Sequence, residues 1–251
     1  MFIKFLKHMT YEDEPLIGNK NNTLSKISQD LKNKGINVPN SFILNKNSFI
    51  DLLKQNKIKE FIIDKTKNID INNDNEAELF SAQLKIKHKI LHSRINIDLL
   101  RELSYSYEYF QFNNKENIQV DIIPLIEIDD LKTDFFKPYI YENNGIIGIM
   151  NIRRVIKKLY SNIFSIKFIK YIINNNIDIY DINFSIRIHK TIINNDNDIT
   201  NDNITEINIW KNILKNYFNK EININFDYDT LDNKLYLLDI ELFNSSRNIQ
   251  P

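Results

Sequence analysis

Glycine is scarce in this chain, and the scarcity limits the kinds of site that it can build. The 251 residues include four glycines, Gly18, Gly35, Gly145 and Gly148, where average usage would give roughly 18. Loops of the G-x-G-x-x-G and G-x-x-x-x-G-K-[ST] types need several glycines close together, because their backbone amides approach phosphate without an intervening Cβ. The sequence contains no such cluster, so both of these nucleotide-binding loops are excluded.

The rest of the composition is that of a globular chain without a dominant charge. Hydrophobic residues make up 42% of it, which is enough to bury a core. Lys plus Arg and Asp plus Glu both number 33, so no overall field favours nucleic acid or an anionic membrane. Cysteine is absent, which excludes disulfides and cysteine-type zinc sites. No stretch is apolar enough for a signal peptide or a membrane span, and we expect a cytoplasmic protein.

Hydrophobic periodicity predicts an α+β fold, with a helical N-terminal part followed by mixed β-sheet and a C-terminal helix and hairpin. The predicted helices cover residues 23–34, 48–56, 58–67, 75–92, 97–112, 151–164 and 207–218. The predicted strands cover residues 36–44, 118–128, 135–141, 181–193, 222–228 and 234–240. A polar Asn/Asp/Thr run is the best candidate for a linker. We therefore divide the chain into subdomains at 1–115 and 116–193, a linker at 194–206 and a C-terminal unit at 207–251.

The most specific signal lies near the N-terminus. There, Pro15-Leu-Ile-Gly-Asn-Lys-Asn-Asn-Thr-Leu24 is followed by Gly35-Ile-Asn-Val-Pro-Asn-Ser-Phe-Ile-Leu44. Both segments resemble the opening of the N-terminal nucleotide-binding domain of phosphoenolpyruvate synthases and pyruvate phosphate dikinases, which reads G-G-K-x-x-x-L, a helix, then G-[VI]-x-V-P-x-[GS]-F. Weaker similarities follow in the same order at 159–164, 182–193 and 234–239. The resemblance implies an ATP-grasp-like fold whose subdomains clamp ATP and Mg²⁺ between them.

The resemblance also implies roles for individual residues. Family members cleave ATP and pass a phosphoryl group to a histidine on a separate swivelling domain. Lys20 matches the family lysine and is implied to bind a phosphate, while a solvated lysine at a helix start is the alternative interpretation. Asn225 stands at the position of a metal-binding glutamate in the family, and Asp239 stands at the position of a glutamine. The resemblance therefore implies that both residues face Mg²⁺. An exposed hairpin face is the simpler interpretation of these two residues.

Other family positions are altered in ways that weaken phosphate binding. Ile123 stands where the family has a phosphate-binding arginine, and an aliphatic side chain cannot donate a bidentate hydrogen bond. Asn19 replaces a glycine, and Glu241 replaces an arginine. We therefore expect a divergent ATP-binding domain with reduced or lost phosphotransferase activity, a pseudoenzyme that acts as a nucleotide- or partner-binding module.

Two alternatives stay open. The chain could be an active ATP-dependent phosphotransferase, a kinase component that works with a separate phosphohistidine protein. In that case a cation such as Arg153, Arg154 or Arg187 would replace the missing arginine. The other alternative is a remnant scaffold that binds no nucleotide.

Two further clusters are weaker candidates. His88 and His92 are spaced i, i+4 on a predicted helix and could chelate a metal, but with no third ligand in view a surface position is the simpler interpretation. The basic run of Arg153, Arg154, Lys157 and Lys158 is either a solvated helix face or a site for an anion or a partner.

Overall fold

A five-stranded antiparallel sheet forms the centre of the computed structural model, which describes residues 1–69, 76–111, 118–128, 143–194 and 200–243. The strands are β1 (Ile3–Phe5), β2 (Ser41–Leu44), β3 (Gln119–Glu127), β4 (Asn143–Ile147), β5 (Asn183–Lys190), β6 (Glu221–Asp229) and β7 (Lys234–Phe243). Within the sheet the order is β1-β2-β5-β3-β4, and β6 and β7 form a separate antiparallel hairpin. The mixture of helices and sheet confirms the α+β class.

Helices cover both faces of the sheet. The helices are α1 (Glu14–Ile17), α2 (Asn19–Asp30), α3 (Lys46–Gln55), α4 (Ile58–Thr66), α5 (Glu76–Leu91), α6 (Ile97–Gln111), α7 (Ile149–Asn162), α8 (Ile166–Asn174) and α9 (Asn201–Phe218). Helices α3 to α8 pack on one face around a helical core that includes Phe49, Leu103 and Tyr160. On the other face, α2, α9 and the hairpin share a smaller hairpin core that includes Leu24 and Trp210.

Strand β5 lies in the middle of the sheet, and its two faces differ in chemistry. Phe184, Ile186 and Ile188 are fully buried in the helical core. The alternate residues Ser185, Arg187 and His189 are also buried, on the face toward α2 and the hairpin. The strand predicted for 181–193 is therefore confirmed over β5. It is buried on both faces rather than on one, and a buried polar stripe lies opposite the C-terminal hairpin.

Two corrections concern where helices occur. Helix α2 begins at Asn19 rather than residue 23, because Gly18 turns the chain between α1 and α2 with φ 83°. Helix α8 lies in a segment for which no element is predicted. The Ser165 side chain caps it by accepting a hydrogen bond from Phe168 N at 3.1 Å, and its apolar face enters the helical core.

Two more corrections concern the ends of elements. The strand predicted for 36–44 is restricted to β2, and residues 36–40 are not a strand. Helix α9 begins six residues before the predicted start, after a capping box in which Thr200 and Asn203 exchange hydrogen bonds. Residues 201–206, which are predicted as linker, are therefore helical. The strand predicted for 135–141 lies outside the described residues.

The central sheet takes strands from both sides of residue 115, and the division into subdomains stays a prediction.

In the part of the chain that the structure describes, no helix is both long enough and apolar enough to cross a membrane.

The hairpin core can be tested at two neighbouring positions of α9. Trp210 is 1% exposed, whereas Ile209 is 52% exposed. We expect Trp210→Ala to lower the free energy of unfolding by about 3–5 kcal/mol, because it leaves a cavity in this core. The matched Ile209→Ala variant should change it by about 0.5 kcal/mol or less. Urea unfolding of both variants measures the difference, and equal effects would show that α9 is not packed as described.

Candidate functional site

Two of the three predicted site residues meet in an ion pair. Lys20 lies in the first turn of α2, and its Nζ is 2.9 Å from Asp239 Oδ2 on β7. The same Nζ is 3.8 Å from Glu241 Oε1. The closer pair joins residues that are 219 positions apart in sequence, and both of its side chains are 29% exposed. The lysine at the helix start is therefore held against two carboxylates of the hairpin.

The third predicted residue, Asn225, lies beside this ion pair. The hairpin register pairs Asn225 with Asp239 and Asn223 with Glu241, and directly paired residues project from the same face of an antiparallel ladder. We call these four residues the polar face of the hairpin. The sequence positions implied by the family resemblance are thus brought together by the register of β6 and β7.

A bulge in β7 creates this arrangement. The register passes from Asn225 opposite Asp239 to Phe226 opposite Leu237, which leaves Leu238 without a partner. Leu237 and Ile240 are both buried in the hairpin core although they are three residues apart. Because the extra residue shifts the alternation, Asp239 projects to the polar face instead of the core.

The other hairpin carboxylates have local roles. Asp229 is buried and its Oδ1 accepts hydrogen bonds from Leu231 N at 2.9 Å and Asp232 N at 3.1 Å, which fixes the turn. Asp227 Oδ1 accepts a hydrogen bond from Tyr228 N. Among the described residues, no group of three or more His, Asp or Glu side chains could hold a metal ion.

The polar face nevertheless offers oxygen donors that suit Mg²⁺. Asn225 supplies an amide oxygen, and Asp239 and Glu241 supply carboxylates, the ligand types that Mg²⁺ prefers. Asp239 Oδ1 is a buried atom with no hydrogen-bond partner among the described residues, while Oδ2 of the same carboxylate accepts from Lys20. This orphaned oxygen is the observation that fits a missing ligand, since a buried polar atom normally has a partner.

A guanidinium lies next to the position of the missing arginine. Arg187 on β5 is directly opposite Ile123 on β3, so both side chains project from the same face of the sheet. Arg187 is 4% exposed, and its Nη2 donates to the carbonyl of the bulged Leu238 at 2.7 Å. The other two candidate cations, Arg153 and Arg154, lie on α7, which packs on the opposite side of the sheet.

A carboxylate occupies the start of α2. Asn19 N donates to Glu127 Oε1 at 2.9 Å and to Oε2 at 3.1 Å. A Cβ on Gly18 would lie 2.8 Å from Glu127 Oε2, so the absence of a side chain at Gly18 permits this approach. An anion is stabilised at a helix N-terminus because the first amides are unpaired and the helix dipole is positive there. No local sequence signal identifies Glu127, since the contact spans 108 residues.

A cavity of about 550 Å³ adjoins this contact and is lined in part by Asn19 and Glu127. Its other polar lining residues include Glu12, Glu14 and Asn183. Lys20, Arg187 and Asp239 do not line this cavity. The carboxylate at the helix start is therefore open to a cavity, whereas the cations of the site are in contact with the hairpin.

Residues 14–196 match the AMP/ATP-binding domain of pyruvate phosphate dikinase. The chain belongs to this family. A phosphoenolpyruvate synthase from Helicobacter pylori (strain ATCC 700392 / 26695) is 26% identical over 179 residues, which is 70% of this chain and 22% of that protein. The chain thus spans about a fifth of the length of that relative. These matches confirm the resemblance, and the family match includes Lys20 but ends before the hairpin that carries Asn225 and Asp239.

The two histidines form an exposed stack, with His88 on α5 and His92 directly after the end of that helix. The His88 and His92 rings are 4.0 Å apart with an interplanar angle of 27°, and His92 Nδ1 donates to His88 O at 2.9 Å. Both side chains are exposed. The described residues place no cluster of three His, Asp or Glu ligands at this position.

The conformation of Gly18 gives a direct test of the helix start. Gly18 has φ 83° and ψ 159°, a region that is essentially restricted to glycine. We expect Gly18→Ala to lower the free energy of unfolding by about 1–3 kcal/mol. Gly35 is the control, because it has φ 84° and ψ 1° and no neighbouring atom lies within 4 Å of the position that a Cβ would take. Gly35→Ala should therefore cost only about 1 kcal/mol. Equal losses in thermal or urea unfolding would contradict this assignment.

His189 predicts a pH dependence of stability. Burial, and then the nearby Arg187 charge, lower its pKa below the usual 6.5, although the Lys190 carbonyl and Asp121 act in the opposite direction. The folded protein therefore favours the neutral ring, and the unfolded chain binds a proton more readily. The stability that the folded protein gains from holding His189 neutral is fully present above about pH 6.5. It is lost as the pH falls through the lowered pKa of His189 in the folded protein. His189→Gln should flatten that part of the stability profile measured by urea unfolding, and an unchanged profile would contradict it.

Proposed function

We propose that this chain binds Mg·ATP where the start of α2, strand β5 and the polar face of the hairpin meet. The main support for this proposal is the contact of Lys20 with Asp239. The family resemblance implies that Lys20 binds phosphate and that Asp239 faces the metal, and the contact places the two side chains together. Membership of a family whose domain binds AMP or ATP supports the same ligand. The proposed role is that of a nucleotide- or partner-binding module with an ATP-grasp-like fold.

We further propose that phosphotransferase activity is reduced or lost. Lys20 faces two carboxylates, and the first turn of α2 faces Glu127. ATP phosphates must therefore compete with internal anions for the positive groups of the site. Ile123 contributes no charge on β3. Phosphoryl transfer depends on preorganised positive groups around the transferred phosphate, so both features lower transition-state stabilisation.

For Mg²⁺, we propose Asn225 and Asp239 as ligands, with Glu241 beside them. The ion would supply positive charge next to the phosphates and would neutralise the carboxylates that face Lys20. Within the chain itself, Asn225 and Asp239 hold their oxygens on one face of the hairpin, and Lys20 is positioned to contact a phosphate once its carboxylate partners are neutralised.

A second candidate function is an active phosphotransferase that transfers a phosphoryl group to a separate phosphohistidine protein. One specific observation favours it. Arg187 lies directly opposite Ile123, so a buried guanidinium lies one strand away from the altered position. An arginine is suited to phosphate because it presents several donors in a planar fork.

Calorimetry of Mg·ATP binding tests the proposed ligand. The wild-type protein should bind saturably, and Lys20→Ala should weaken binding by about tenfold or more, since a charge-assisted phosphate contact is lost. Lys26→Ala is the matched control, because Lys26 lies on the same helix and its Nζ is 5.1 Å above the Tyr11 ring. It should change the affinity by about twofold or less. No binding to the wild type at millimolar ATP would overturn both candidate functions.

Phosphate release and transfer from γ-³²P-labelled ATP separate the two candidates. The leading proposal predicts a rate far below the typical kinase range of roughly 1–100 s⁻¹. If the rate reaches that range, the second candidate is correct, and Arg187→Gln should then lower it by about a hundredfold or more. The control is Arg154→Gln, an exposed arginine on α7, which should leave the rate unchanged.

A further inference from the structure

Positive charge is concentrated on three helices of the helical core, although the whole chain has no net charge. Residues 79–97 and 143–177 contain no Asp or Glu. They carry ten cationic side chains: Lys85, Lys87, Lys89, Arg94, Arg153, Arg154, Lys157, Lys158, Lys167 and Lys170. These segments include the C-terminal part of α5 and all of α7 and α8, and both α7 and α8 contact α5. We call this surface the basic face.

Among the described residues, the cations of the basic face have no carboxylate partners. Within the described ranges, the ion pairs involve other lysines and arginines, and none of these ten cations pairs with a carboxylate. Burial, and then the like charge of Arg153, lower the pKa of Lys157, and burial lowers the pKa of Lys87. Like charges held close together without partners are unfavourable, so an acidic partner would relieve a repulsion that is present in the free protein.

An apolar groove of about 760 Å³ lies at the edge of the basic face, between α4 and α5. Its floor includes Phe61, Leu84 and Leu91, and Leu84 is 51% exposed. Lys85, Lys87 and Lys89 are part of the same lining. Lys157 on α7 lies near one end of the groove, where its Nζ donates to Leu91 O at 3.1 Å. Exposed apolar side chains ringed by charges of one sign are typical of surfaces that bind a partner.

We infer that the groove between α4 and α5 binds an acidic amphipathic segment of another protein. Apolar side chains of the segment would pack on Leu84 and Leu91, and its carboxylates would pair with Lys85 and Lys89. Helix-in-groove recognition combines these two elements, since an apolar stripe supplies the buried area and flanking charges set the orientation. The mostly apolar lining favours a protein segment that carries apolar side chains over a phosphate backbone, which has none. The inference is independent of nucleotide binding, because Lys20 lies on the other side of the sheet.

The probe is a fluorescein-labelled synthetic peptide of about 18 residues, with leucines at helical spacing and glutamates elsewhere. A control peptide has the same composition with the leucines rearranged so that no apolar stripe forms. Fluorescence anisotropy with the full chain at about 0.15 M salt should show saturable binding of the patterned peptide. The rearranged peptide should bind about tenfold more weakly or worse, because it keeps the charge but loses the buried stripe.

Two variants locate the binding on the protein. Lys85→Glu combined with Lys89→Glu should weaken binding of the patterned peptide by about tenfold or more. The matched control combines Lys32→Glu with Lys34→Glu, because both lysines are exposed and lie outside the groove. It should change the affinity by about twofold or less. Leu84→Gln should also weaken binding, and its exposure means that folding, checked by urea unfolding, should be little affected.

Several results would overturn the inference. One is that the patterned peptide shows no saturable binding up to about 1 mM. Another is that the two peptides bind equally well, and a third is that the groove variants and the control variant bind the patterned peptide equally well. Tighter binding of duplex RNA, or of phosphatidylserine vesicles, than of the patterned peptide would also overturn it, in favour of a nucleic acid or membrane surface.

Discussion

The two faces of strand β5 determine how the sheet and the C-terminal hairpin fit together. Its apolar residues fill the helical core, while Arg187 and His189 are buried on the opposite face. A buried guanidinium needs hydrogen-bond acceptors to offset the loss of hydration. The Leu238 carbonyl provides one at 2.7 Å, because the bulge in β7 presents it toward the sheet. The same bulge turns Asp239 to the polar face, where it pairs with Lys20.

This arrangement gives the positive groups of the proposed site internal partners. Lys20, the lysine implied by the family resemblance, faces two hairpin carboxylates. The helix start that follows Gly18 is present, but Glu127 already accepts its first amide hydrogen bond. The chain has no glycine-rich phosphate loop, and the glycine at position 18 leaves space for the carboxylate of Glu127. Under the proposed function, ATP phosphates compete with these internal anions for the positive groups of the site.

Local periodicity is sufficient to predict much of the fold. The alternation along β5, the amphipathic pattern of α9 and the hairpin after it all follow from contacts within one element and its neighbours. Helix α8 is not predicted although Ser165 caps it, because its run of isoleucine and phenylalanine also suits a buried strand. The start of α2 depends on the positive φ of Gly18. The sequence alone does not reveal this backbone angle, so the helix boundary at Gly18 is not predicted.

The candidate site is only partly predictable for a different reason. Lys20, Asn225 and Asp239 can be named from the family resemblance, but their proximity depends on how the hairpin packs. The position of Arg187 opposite Ile123 depends on the register between strands that are distant in sequence. The Glu127 contact and the bulge at Leu238 are likewise non-local. Sequence spacing carries no information on such registers, because many pairings satisfy the same hydrophobic pattern.

Hydrogen–deuterium exchange with and without Mg·ATP tests the central claim most directly, because it locates the ligand without any mutation. We expect slower amide exchange at residues 19–22, along β5 and along β6 and β7, with α5 and α7 unchanged. Ligand binding stabilises the local structure that it contacts and so suppresses local opening. Protection confined to α5 and α7, or no protection under saturating Mg·ATP, would contradict the assignment of this face as the nucleotide site.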